Sequence, residues 1–210
     1  MAAQSNLLNM ALCLFGTTLI CSAVLAGVYA VTKEPIDETN KAILKASIAK
    51  VLPEGGEISD AQTCEVGGQP SECWFSTKDG EVMGTAVKST VVGFGGPLTL
   101  MVGILPDGTI YNTSVLSHGE TPGLGAKCTD ENFFGQFKGW NPEEKKLLVV
   151  KDGGDVDAIT ASTITSRAYT LAIQNALYAL TTAPLEGGKP VVDEVVAEPD
   201  SEEAASVEVE

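Results

Sequence analysis

The feature that most constrains this chain is an uncharged segment close to its N-terminus. The 25 residues from Leu7 to Val31 contain no acidic or basic side chain, and most of them are apolar. About 20 apolar residues allow a helix to cross a bilayer, so the segment predicts a transmembrane helix. A cleaved signal peptide is the alternative, because Val28-Tyr29-Ala30 resembles a cleavage site. The apolar run is longer than the ~7–15 residues usual in such peptides and no Lys or Arg precedes it, so we expect an uncleaved anchor.

The opposite end of the chain has a very different composition. Residues 185–210 contain nine acidic side chains, one lysine and no aromatic residue. Such a segment cannot bury enough apolar surface to offset its chain entropy, which predicts a disordered tail. The expected division is therefore an N-terminus over residues 1–6, a transmembrane helix over 7–31, one domain over 32–184 and the acidic tail over 185–210.

Charge and side-chain inventory exclude several classes of function. The net charge is −15, and the chain has a single arginine, Arg167, and a single histidine, His118. Nucleic-acid binding needs clustered cations, so it is not expected. The five cysteines form no Cys-x-x-Cys pair and no Gly-x-Ser-x-Gly motif occurs, which argues against a metal site and a serine hydrolase. A disulfide between Cys64 and Cys73 stays open, depending on the compartment.

The middle segment predicts an α+β domain with a largely antiparallel sheet. Apolar residues recur at helical spacing from Glu38 to Val51 and again from Thr163 to Thr181. Between these helices, β-rich runs are separated by Asp-Gly turns, which are typical of antiparallel strands. The predicted strands cover residues 74–77, 81–92, 98–105, 109–116 and 147–150.

The strongest chemical signal is a cluster of hydroxyl residues where the last helix is predicted to begin. Five Ser or Thr residues occur in the seven positions from Thr160 to Ser166. One or two hydroxyls are enough to cap a helix, and a helix N-terminus attracts anions through its free N–H groups and its dipole. The cluster therefore indicates either an ordinary cap or a phosphate site.

Two glycine-rich segments follow or precede predicted strands. They are Gly93-Phe94-Gly95-Gly96-Pro97 and Ser117-His118-Gly119-Glu120-Thr121-Pro122-Gly123-Leu124-Gly125. Loops of this kind often hold ligands or let a ligand approach the backbone closely, although each segment alone is equally typical of a plain turn.

Taken together and in order, these segments resemble the FMN-binding domain of RnfG, the G subunit of the Rnf electron-transport complex. They are more distantly similar to NqrC, the C subunit of the sodium-pumping NADH:quinone reductase. The likeness covers most of the chain: the N-terminal anchor, GFGGP, SHGETPGLG, and DAITASTITS before a final helix. Several motifs in one order are more specific than any single motif.

The resemblance implies a covalently bound FMN. In this family the last threonine of a Ser/Thr-Gly/Ala-Ala-Thr motif is joined to the FMN phosphate, and that threonine corresponds to Thr163. Ala161 and Ser162 stand where the family usually has Gly and Ala, and Ser162 is a second hydroxyl beside the expected attachment atom. The other cofactor-binding residues that the likeness and the helix N-terminus indicate are Glu120, Thr121, Gly123, Leu124, Gly125, Thr160, Ser162, Thr165 and Ser166.

The resemblance also implies function and partners. We expect a membrane-anchored electron-transfer subunit, rather than a stand-alone enzyme, in an Rnf-type complex that couples ferredoxin/NAD electron transfer to ion translocation. The expected partners are the other Rnf subunits, membrane lipid and a flavin transferase, for which Asp157 is a candidate determinant. No catalytic residue is assigned, because the flavin itself exchanges the electrons. The alternatives are the C subunit of a sodium-pumping quinone reductase and a non-redox anchored assembly subunit.

Residues and resemblance disagree on the side of the membrane. Four lysines follow the apolar run and no basic residue precedes it, so the positive-inside rule alone would place the domain in the cytoplasm. The family places its flavin domain on the outer face. We expect a single-pass protein of the bacterial inner membrane with its domain on the periplasmic face, because acidic residues are interleaved with the lysines. The lysines are Lys33, Lys41, Lys45 and Lys50.

Overall fold

A computed structural model describes residues 7–182 of the chain. It divides the chain into two units, with the boundary between Ala46 and Ser47. The helices are α1 (Leu7–Val51), α2 (Glu131–Phe134) and α3 (Thr163–Thr182). The strands are β1 (Glu57–Ile58), β2 (Gln62–Val66), β3 (Gln69–Lys78), β4 (Glu81–Val92), β5 (Pro97–Ile104) and β6 (Ile110–His118). The acidic segment 185–210 and residues 1–6 lie outside the described residues.

Helix α1 joins two segments that the sequence pattern predicts separately. The uncharged run and the predicted helix over 38–51 form one continuous 45-residue helix, which contains Pro35. The apolar side chains of its first half are exposed, for example Leu12 at 68% and Leu25 at 71%. Within the described part of the chain, α1 is the one helix long and apolar enough to cross a membrane.

The second unit contains a six-stranded antiparallel sheet, as the Asp-Gly turns predict. The strand order is β1-β3-β4-β5-β6, and β2 pairs with the same strand, β3, as β1 does. The registers place buried apolar residues opposite each other on one face, as in the pairs Val87–Val102 and Val91–Leu98. The predicted α+β class and antiparallel sheet are confirmed.

Helix α3 covers the buried face of this sheet. Its residues Ala168, Tyr169, Ala172, Ile173 and Ala176 are each at most 6% exposed and belong to the same core cluster as the strand residues. Small alanines let the helix lie close to the strands, while Tyr169 stacks on Phe137 and donates or accepts a hydrogen bond with Thr113 at 2.8 Å. The start of α3, where the hydroxyl cluster lies, is thereby fixed relative to the sheet.

The predicted strand over residues 147–150 is wrong. Val149 makes only an isolated parallel bridge to Val156, and Val150–Asp152 is a 3₁₀ turn ended by Gly153 in the left-handed region, with a φ of +80°. Leu147 and Val149 are buried while Leu148 is 40% exposed. The apolar run that predicts a strand is an extended segment without a full strand partner.

Candidate functional site

Three motifs that are far apart in sequence meet at one cleft. It has a volume of about 310 Å³ and lies between the β4–β5 loop, the segment after β6 and the start of α3. The residues that line it are Phe94, Glu120, Thr121, Leu124, Gly125, Ala161, Ser162, Thr163, Ile164 and Thr165. Its size is within the range of small-molecule sites.

A buried carboxylate ties the three motifs together. Glu120 is 6% exposed, and its Oε1 accepts a hydrogen bond from the Phe94 N–H at 2.8 Å. Its Oε2 accepts one from the Thr165 hydroxyl at 2.9 Å. A buried charge is stable only when it is hydrogen-bonded, and these contacts supply partners from both neighbouring segments.

The glycines of the two loops make room for this carboxylate. A Cβ on Gly93 would overlap Glu120 Oε1, and a Cβ on Gly125 would overlap Glu120 Oε2 and lie 2.7 Å from Thr165 Oγ1. A Cβ on Gly95 would overlap the Gly119 carbonyl oxygen of the other loop. The glycine-rich sequences are therefore explained by close packing between two loops and one carboxylate.

Helix α3 begins with a tight turn held by its own serines. The Ser166 N–H and hydroxyl both donate to the Ser162 carbonyl, at 3.1 and 3.0 Å, and the Ser166 hydroxyl accepts from the Ile159 N–H at 2.9 Å. Ala161 precedes this turn with a φ of +62°. Part of the hydroxyl cluster is thus used to stabilise the helix start.

Thr163, the predicted attachment residue, is the first residue of α3 and is half-buried at the cleft. The Lys151 ammonium donates a hydrogen bond to Thr163 Oγ1 at 3.2 Å. One helical turn further on, Arg167 makes two 2.6 Å hydrogen bonds to the Asp152 carboxylate. The hydrogen bonds and charge of Arg167 lower the pKa of Asp152, and Asp152 raises the pKa of Arg167. Arg167 is thus engaged with Asp152.

The structure brings most of the predicted site residues to this cleft. Those that line it are Glu120, Thr121, Leu124, Gly125, Ser162, Thr163 and Thr165. Gly123, with a φ of +79°, and Thr160 are exposed and are not among the lining residues. Ser166 is buried beneath the helix start, where its hydroxyl is hydrogen-bonded to the backbone.

Three of the lining residues are not among the predicted site residues. Phe94 and Ile164 are apolar and 69% and 51% exposed, and Ala161 carries the positive φ. Phe94 was detectable as the one aromatic residue within a glycine-rich loop. Ile164 was not, because on the sequence it is simply another apolar position of a helix.

The chemistry of the cleft suits a ligand with an anionic end and a flat apolar body. The helix start offers free N–H groups and the positive end of the dipole, and Lys151 adds a cation at Thr163. Phe94, Leu124 and Ile164 add exposed apolar surface around the same cleft. These residues fit a phosphorylated flavin.

Comparison with protein families gives the same type of ligand. The family model described as an FMN-binding domain matches residues 93–178. The chain is 31% identical over 176 residues to the G subunit of the proton-translocating ferredoxin:NAD(+) oxidoreductase complex of Clostridium ljungdahlii, covering 82% of this chain and 90% of that protein. It is 34% identical over 170 residues to the G subunit of the ion-translocating oxidoreductase complex of Methanosarcina acetivorans, covering 77% and 89%. Among solved structures, it is similar to NqrC of Shewanella oneidensis, with 27% identity and a TM-score of 0.42 over 50% of this chain and 54% of that one.

Proposed function

Because this chain belongs to the family of G subunits of ion-translocating oxidoreductase complexes, we propose that it carries FMN covalently on Thr163 and relays electrons through it. The chain is a flavoprotein subunit with an FMN-binding domain. The proposed linkage to Thr163 rests chiefly on one observation: the three motifs line a single cleft, at which Thr163 begins α3.

Attachment at Thr163 is consistent with the local chemistry. An activated flavin nucleotide with a phosphoric anhydride bond is required as the donor. Thr163 loses its hydroxyl proton and gains an Oγ–P bond, while the anhydride P–O bond breaks and the proton leaves with the released phosphate group. The product is a phosphodiester anion at the start of α3, where N–H groups and the dipole stabilise negative charge by ~0.3–1 kcal/mol.

The protein's own role is to hold the flavin rather than to transfer protons. Bound FMN supplies the electron exchange. We propose that Phe94, Leu124 and Ile164 flank the flavin ring, since they present exposed apolar surface at the cleft. Glu120 holds the glycine loops that form the cleft wall.

Attachment also implies a separate flavin transferase. Among the described residues, Thr163 has no hydrogen-bonded base, since the Lys151 ammonium that contacts its hydroxyl is a donor. Asp157 is a candidate recognition residue for the transferase. Gln136 holds its backbone through two hydrogen bonds, at 2.9 and 3.2 Å, and leaves the residue exposed.

The partners follow from the family. Relatives are named as the G subunits of multi-subunit complexes, so this chain is one subunit among several. We propose that its complex couples ferredoxin/NAD electron transfer to ion movement, as the name of the Clostridium ljungdahlii protein states for that complex. The chain is a membrane-complex subunit with one N-terminal apolar helix among the described residues. We propose that its flavin domain faces the periplasm.

Flavin fluorescence on a denaturing gel tests the covalent bond. The full chain is produced together with a flavin transferase, and its band is examined for fluorescence. We expect the wild-type and Ser162→Ala bands to fluoresce and the Thr163→Ala band to be dark, because only Thr163 supplies the ester oxygen. Ser162→Ala is the matched control, since it removes the neighbouring hydroxyl of the same cleft.

Two other gel results would contradict attachment at Thr163. A dark Ser162→Ala band with a fluorescent Thr163→Ala band would move the attachment by one residue. A dark wild-type band would exclude covalent attachment of FMN, and a purified native chain that is also colourless would favour the anchored, non-redox assembly subunit.

A further inference from the structure

Lys151 is the cationic side chain that contacts the proposed attachment oxygen. Resting on the proposed function, we propose that Lys151 is a positioning residue that holds the phosphoryl group joined to Thr163, and that the Asp152–Arg167 ion pair fixes it there. Its ammonium lies 3.2 Å from Thr163 Oγ1. When that oxygen becomes an ester oxygen, the same ammonium is within reach of the attached phosphate.

Lys151 lies in a short, hydrogen-bonded turn beside the start of α3. The 3₁₀ turn Val150–Asp152 is closed by the Asp152 N–H, which donates to the Val149 carbonyl at 2.8 Å. Gly153 ends the turn with a φ of +80°, a conformation that favours glycine. The turn places Lys151 and Asp152, which are neighbours in sequence, beside the first two turns of α3.

Two contacts join this turn to one face of α3. Thr163 and Arg167 are four residues apart and therefore lie on the same side of the helix. Lys151 contacts the first and Asp152 contacts the second. The bidentate Asp152–Arg167 pair joins the turn to the helix beside the Lys151–Thr163 contact, and it favours the arrangement in which the Lys151 ammonium lies near Thr163.

The pairing of the single arginine leaves the positive charge beside Thr163 to Lys151. The chain has one arginine, and it is engaged by Asp152. Lys151 therefore supplies the positive side chain at Thr163. Because the ammonium donates to Thr163 Oγ1, it has no lone pair for the hydroxyl proton. Its role is to orient the oxygen and to pair with the phosphate charge.

The test measures transfer and the environment of the phosphorus separately. Full-length chain in detergent is incubated with a flavin transferase and a flavin dinucleotide, and the initial rate of band fluorescence is recorded for Lys151→Gln, Lys151→Arg and Lys78→Gln. Lys78 is exposed in the β3–β4 hairpin and is the matched charge control. We expect Lys151→Gln to slow the transfer about tenfold or more, and Lys151→Arg to stay within about threefold of wild type, because the charged hydrogen bond is lost only in the first variant.

The ³¹P resonance of the flavin ester distinguishes positioning from recognition by the transferase. After prolonged incubation, we expect Lys151→Gln to shift this resonance relative to wild type, while Lys78→Gln leaves it unchanged. A wild-type rate in Lys151→Gln, an unshifted resonance, or a Lys151→Arg variant as slow as Lys151→Gln would overturn the proposal. These results are distinct from failure of the proposed function, which would show as a dark wild-type band or as fluorescence in Thr163→Ala.

Discussion

Ala161 has a backbone conformation that residues with a Cβ rarely adopt. Its φ of +62° lies in the left-handed region, and among the described non-glycine residues only Asp79 shares a positive φ. The motif that this segment resembles usually has glycine at this position, and glycine adopts a positive φ without strain. The chain reverses at Ala161 so that Ser162 can begin the turn that starts α3.

Ala161→Gly should therefore stabilise the protein. The left-handed conformation destabilises the folded state by ~1–2 kcal/mol when the residue is alanine. Glycine removes this cost, but it raises the entropy of the unfolded chain, which lowers the free energy of unfolding by ~0.4–1 kcal/mol. The expected net gain is about 0.5–1 kcal/mol, a small increase in Tm measured by tryptophan fluorescence of the full chain in detergent.

Ala61→Gly is the matched control, since Ala61 is exposed and has no positive φ. At position 61 the substitution only raises the entropy of the unfolded chain, so it should lower the Tm. Equal decreases in both variants would show that Ala161 is not strained.

At the scale of elements, the sequence predicts the regular parts well. Strands β4 to β6, the second half of β3 and helix α3 were predictable from β-rich or apolar runs that end at Asp-Gly turns and from helical spacing after a hydroxyl cluster. Strands β1 and β2 were not predicted, because β1 has only two residues and the apolar positions of β2 are limited to Cys64 and Val66 among polar neighbours. The strand predicted over residues 147–150 is wrong because this apolar segment has no neighbouring strand to pair with, apart from one isolated bridge.

The motifs of the site could be predicted from the sequence, but the contacts between them could not. The hydroxyl cluster and both glycine loops were visible as motifs, and Thr163 was assigned through family resemblance. The contacts among them were not predictable, because they join residues 26 and 45 positions apart through one carboxylate. Neither local propensity nor spacing reveals which loop acid will be buried.

Glu120 joins these elements, and its removal should loosen the cleft. Glu120→Ala would leave the Phe94 N–H and the Thr165 hydroxyl without this acceptor, which should destabilise the fold by about 1–3 kcal/mol. Glu120→Gln keeps the size of the side chain and an oxygen acceptor, so it should cost much less. Thermal unfolding of the flavin-free full chain compares the two variants, and similar losses of Tm would mean that the carboxylate charge, rather than the bridge, is what matters.

At the scale of the whole molecule, the proposal that the second unit lies on the periplasmic face can be tested directly. Its own cysteines cannot report this by labelling. Cys64, Cys73 and Cys128 are at most 5% exposed, and burial, with a smaller effect of Glu120, raises the pKa of Cys128 to about 11. Near neutral pH such a thiol is protonated and is a poor nucleophile.

An exposed cysteine in the sheet gives a direct answer. Glu81 begins β4 at an exposed hairpin end. We expect Glu81→Cys, in a chain with Cys13→Ala and Cys21→Ala, to react with a membrane-impermeant maleimide on intact cells whose outer membrane, where present, is permeabilised. The same background with Glu81 retained is the control, and it should remain unlabelled because its other thiols are buried. If the Glu81→Cys chain reacts only after lysis, the flavin domain faces the cytoplasm and the lysines that follow the apolar run, rather than the family, indicate the orientation.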